Sequence, residues 1–153
     1  MEIKSNFSIE QYDRLRYQTI KWFTIGWAAW FGIAMVNRYI GNNTVKALFA
    51  MIGIMGLITW VINFIKLRRL DKKIKSDSNL YKALNNELVV HNKYKASRVG
   101  FIVTISVVGV CYGITLNYPL PALNVCEVTL FTGVLSGLIA SLFYNREPRD
   151  GGE

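Results

Sequence analysis

Charge is what this sequence has least of over most of its length. Residues 99–145 hold a single charged side chain, Glu127, and residues 22–37 and 47–65 hold none. That distribution argues against a soluble four-helix bundle, whose helices each need a polar stripe facing water. Histidine is nearly missing, with His91 alone, and the two cysteines, Cys111 and Cys126, are too few for a disulfide framework. On antiparallel helices they fall at different depths, so they read as two apolar side chains rather than a bridge. The chain also lacks a GxSxG elbow, a Walker-type glycine loop and an HExxH helix. Nucleophilic, phosphoryl-transfer and metalloprotease sites therefore lack their parts. No enzyme, cofactor or metal site is expected.

What is present comes in blocks. Uncharged runs cover residues 22–37, 47–65, 99–126 and 128–145, which are 16, 19, 28 and 18 residues long. About 20 mostly apolar residues carry a helix across the hydrocarbon core. The first run is short, but Lys21 and Arg38 at its ends can snorkel to the headgroups, and Pro119 and Pro121 divide the third. The expectation is an all-α integral membrane protein with four transmembrane helices in two hairpins, joined by a basic cytoplasmic helical hairpin. The expected segments are an interfacial N-terminal helix (1–19), spans at 20–40, 45–66, 99–118 and 122–145, a basic hairpin (67–98) and a tail (146–153).

Segment 66–98 holds ten of the eighteen Lys and Arg residues against three acids. The net charge of +8 could suggest nucleic acid. The segment lacks the aromatic interleaving of a stacking surface, however, so no nucleic-acid partner is expected. The bias is instead topological, because Lys and Arg flanking the spans mark the cytoplasm. The 1–21 and 146–153 segments are basic too, which places both termini inside, in a plasma membrane of bacterial inner-membrane type. Residues 20–40 read as a signal anchor that stays.

Several local patterns add detail. Ser8 to Gln11 has capping-box form and starts a helix. Trp27 and Trp60 fall at similar depths, so they either meet between the first two spans or face lipid. Asn42-Asn43-Thr44 fits an N-glycosylation pattern, but turn-and-cap chemistry explains it sufficiently. Leu67, Leu70 and Ile74 continue helical spacing past the second span, and Leu80, Leu84, Leu88 and His91 form the face of a return arm. The arms differ, at about 15 Å and about 30 Å of helix. The longer arm must tilt, break near Asn85-Asn86, or be covered by the N-terminal helix.

Candidate residues fall into a few groups. Gly109 and Gly113 on the third span, and Thr129, Gly133, Gly137 and Ser141 on the fourth, form small-residue faces for close helix packing, inside the chain or between subunits. Lys66, Arg68, Arg69, Lys72, Lys73 and Lys75 lie just beyond a span, where they set topology and can bind anionic headgroups or an acidic partner. Glu127, three residues after Asn124, reads as a first-turn cap, with the mouth of a cation path as the functional option. Glu87 and His91 form an i,i+4 polar pair and are too few for a metal site.

The leading expectation is a multi-pass protein that works by interaction, as a scaffold, regulatory, immunity or accessory subunit. Its partners would be anionic membrane lipids and either a second copy or another membrane protein. The rival is an oligomeric pore or transporter subunit lined by Thr104, Ser106, Thr115, Thr129, Thr132 and Ser136. A lipid-modifying enzyme has no motif behind it.

Overall fold

The computed structural model describes residues 9–78, 81–82 and 87–146, with the backbone alone at 9, 10, 87 and 88. Ser8 of the expected capping box, Leu80 and Leu84 of the return arm, the side chains of Glu87 and Leu88, and segment 147–153 lie outside the described residues. Four long helices account for nearly all of the rest: α1 (Ile9–Asn37), α2 (Asn43–Ser76), α3 (Glu87–Thr115) and α4 (Ala122–Tyr144). All four are long and apolar enough to cross a membrane.

The helices outrun the apolar blocks. No proline interrupts residues 9–37, so the basic N-terminal segment and the first apolar run share one 29-residue helix. The second run likewise continues through the basic residues to Ser76, making α2 34 residues long. Asn42 caps its start, with Oδ1 accepting from the backbone N–H of Thr44 at 2.9 Å and Val45 at 3.3 Å. At the far end the N–H of Asp77 donates to the Ile74 carbonyl and closes the last turn.

The third run divides at Pro119 and Pro121. α3 ends at Thr115, and a turn follows in which the N–H of Tyr118 donates to the Ile114 carbonyl at 2.9 Å. α4 then begins immediately after Pro121, the N-cap residue, whose ring fixes φ at −59° while its ψ of 128° is still extended.

Packing joins α1 to α2, α3 to α4, and more lightly α1 to α4. α1 and α2 run in opposite directions, since Tyr12 packs with Ile74 at one end while Gly26 faces Trp60 and Ile33 faces Gly53 further along. The N-terminal part of α1 thus covers the basic extension of α2, with Leu70 packed beside that contact. Between these helices lies an aromatic cluster. Trp60 stacks on Trp30 at 5.4 Å between ring centroids and lies 5.9 Å from both Trp27 and Phe23. The indole N–H groups of Trp27 and Trp60 are buried there without a partner among the described residues. α1 reaches α4 through Phe31, stacked on Phe131 at 5.9 Å.

Few side chains are buried, namely Tyr12, Ile74, Ala96 and Ala140 among the apolar ones. Large apolar groups such as Met55, Phe101, Tyr112 and Phe143 point outward. Three polar residues are also buried and are satisfied locally. Thr19, Thr24 and Asn63 each donate to a carbonyl four residues back on their own helix.

Candidate functional site

The six cations clustered at 66–75 do not act as one patch. Lys66, Arg69 and Lys73, spaced by three and four, share a face of α2 that meets Leu15, Gln18, Thr19 and Trp22 of α1. Together with Asn63 and Leu70 they line an open groove of about 520 Å³. Thr19 and Asn63 are buried within it, while Trp22 is exposed. The Lys73 ammonium lies 5.5 Å from the centroid of the Tyr12 ring, which fixes it near the end of the groove. Arg68 turns elsewhere, over the Phe64 ring at 5.3 Å. Lys75 lines a smaller polar pocket of about 220 Å³ with Arg16, Asp71, Tyr81 and Lys93. Lys72 is exposed and lines neither.

At the opposite end of α1, Glu127 is not part of a capping box. The helix starts three residues earlier than that reading requires, and Asn124 already sits inside α4 with its N–H donating to the Pro121 carbonyl. The prolines set the start, and no side chain caps it. Glu127 instead receives both arms of Arg38, with Nη1–Oε2 at 2.9 Å and Nη2–Oε1 at 2.5 Å. This bidentate pair ties the end of α1 to the beginning of α4.

The small residues form two seams. At α1–α2, a Cβ added to Gly26 would stand 2.6 Å from the Trp60 nitrogen, and one on Gly56 would stand 2.7 Å from the Trp30 nitrogen. At α3–α4, a Cβ on Gly100 would meet the Gly133 carbonyl at 3.1 Å and Gly137 Cα at 3.2 Å. A Cβ on Gly133 would overlap the Thr104 hydroxyl. Thr129 borders the cleft beside this seam, with Oγ1 buried and unpartnered among the described residues. Ser141 accepts from the Asn145 side-chain amide at its carbonyl, 2.7 Å away. Gly109 and Gly113 face nothing within 4 Å.

A GxxxG spacing within one helix does not mark Gly26, Gly56 or Gly100, because each of their close partners lies across the seam. The link from the Asn92 side-chain amide to the Tyr144 carbonyl, at 2.8 Å, carries no sequence signature either. His91 is exposed on α3. Among the described residues, no three His, Cys, Asp or Glu side chains gather in a metal-binding group, and Cys111 and Cys126 are free thiols. No family model, curated protein or solved structure matches the chain.

Proposed function

We propose that this chain is a small multi-pass membrane protein that works by interaction, as a scaffold, regulatory, immunity or accessory subunit, without a catalytic site of its own. In this reading α1 to α4 cross a plasma membrane of bacterial inner-membrane type as two hairpins. The basic connection and both termini lie in the cytoplasm, as the positive-inside rule directs. Gly109 and Gly113, open on α3, offer a close-approach surface to a helix of a second copy or of another membrane protein.

The observation that carries the reading against a pore is the Arg38–Glu127 pair. Glu127 is the one charged residue of the last two apolar runs, and it is neutralised within the chain rather than left to attract a cation. Five of the six hydroxyls named for a pore add to this, Thr129 being the exception, with its Oγ1 unpartnered among the described residues. Thr104, Ser106, Thr115, Thr132 and Ser136 each donate to a carbonyl three or four residues back on their own helix. Liposomes loaded with the purified protein are expected to remain ion-tight in a flux assay. A defined conductance or solute uptake by the protein alone would replace this reading with the oligomeric pore or transporter subunit.

A further inference from the structure

We propose that the groove between α1 and α2 binds the phosphate of one anionic phospholipid, held by Lys66, Arg69 and Lys73. Topology alone asks for positive charge beyond a span and is indifferent to which helix face carries it. Here three of the cations converge on one groove with no acid in its lining. Among the described residues, none of the three forms an ion pair. A guanidinium flanked by two ammonium groups suits a phosphate, with Arg69 giving paired hydrogen bonds and the lysines point charge.

The groove also has the polarity gradient of a lipid. It begins at Asn63, inside the uncharged 47–65 run, and ends at Lys73, in the basic extension. Trp22 stands exposed at the apolar end, where an indole suits the boundary between acyl chain and headgroup. An acyl chain running past Trp22 places the phosphate among the cations. A volume of about 520 Å³ accommodates a headgroup and the first part of a chain. An acidic protein segment would use the cations but would gain nothing from the apolar end. The inference rests on the reading of α1 and α2 as membrane spans.

The test is native mass spectrometry of the full chain released from phosphatidylcholine nanodiscs containing a minor fraction of phosphatidylglycerol. Wild type is expected to retain one phosphatidylglycerol. Replacing Lys66, Arg69 and Lys73 together by Gln is expected to weaken retention roughly tenfold or more, whereas Arg68→Gln/Lys72→Gln/Lys75→Gln, which removes the same charge, changes it by about twofold or less. Leu15→Trp fills the groove without touching a charge and should also exclude the lipid, which keeps the test decisive if the triple variant does not fold. Equal weakening by both triple variants, or no phosphatidylglycerol preference in wild type, overturns the site. Inorganic phosphate titrated into the detergent-solubilised protein is expected to show no saturable binding. Saturable binding that displaces the lipid would reassign the groove to free phosphate. Alkaline carbonate extraction of liposome-bound protein separates the two failures. Protein that stays in the pellet without lipid preference defeats only the groove, and protein that is released defeats the spanning reading itself.

Discussion

At the scale of single residues, the glycines divide by what surrounds them. Gly26 lies against the backbone of Trp60 and Gly56, and backbone cannot rotate away as a side chain can. Gly26→Ala is therefore expected to cost about 1–3 kcal/mol by overpacking, measured by denaturation in detergent followed by circular dichroism. Gly109→Ala, with open space around it inside α3, should be neutral or stabilise by up to about 1 kcal/mol through helix propensity. Equal effects at the two positions would mean that α1 and α2 do not meet at Gly26. The Arg38–Glu127 pair is a second residue-scale case. Its side chains are 47% and 17% exposed, intermediate between a surface and a buried pair. A double-mutant cycle with Arg38→Gln and Glu127→Gln is expected to give a coupling of about 1 kcal/mol. A coupling of zero would remove the link between α1 and α4 at that end.

At the scale of elements, aromatic stacking between α1 and α2 does what burial of aliphatic groups does in water-soluble proteins. All four helices are long and apolar enough to span a membrane, and under the proposed spanning arrangement lipid would give them no hydrophobic reason to associate, so close backbone approach and ring contacts would have to hold them. Trp60 touches Phe23, Trp27, Trp30 and Phe64, and each such contact contributes about 0.5–1.5 kcal/mol. Trp60→Ala is expected to lower stability by more than any single ring contact and to change the near-ultraviolet dichroism of the remaining indoles. Unchanged dichroism would place Trp60 outside the cluster.

How far the elements are legible in the sequence follows from which forces set them. The helices can be read because runs of uncharged residues of that length are what a span requires. Depth counting puts Trp27 and Trp60 level but leaves open whether they meet or face lipid, which the rotation of the two helices decides. The start of α4 cannot be read from Asn124, because Pro121 outranks a side-chain cap in fixing the backbone. The Gly26–Gly56 and Gly100–Gly133 contacts are hidden because each depends on the rotation of two helices, which no single-helix spacing specifies. The division of the basic cluster is half visible. The three-and-four spacing of Lys66, Arg69 and Lys73 is in the sequence, but the α1 face opposite them is supplied by packing.

At the scale of the whole molecule, α1 is the common member. It pairs with α2, touches α4 through Phe131 and Glu127, and supplies one wall of the basic groove. A ligand in the groove therefore bears on the same helix that holds the two pairs together. The proposed role in interaction depends on this arrangement standing in a bilayer with its basic end in the cytoplasm.

The most direct measurement is cysteine accessibility in vesicles of known sidedness, with Cys111 and Cys126 first replaced by Ser. Cysteines placed singly at Asn42, Ser78 and Asn117 mark the three connections between helices. An impermeant thiol reagent is expected to label Ser78→Cys from the cytoplasmic side alone, and Asn42→Cys and Asn117→Cys from the opposite side alone. Labelling of all three positions from one side would contradict a four-span protein and, with it, the account of the helices, the groove and the proposed role.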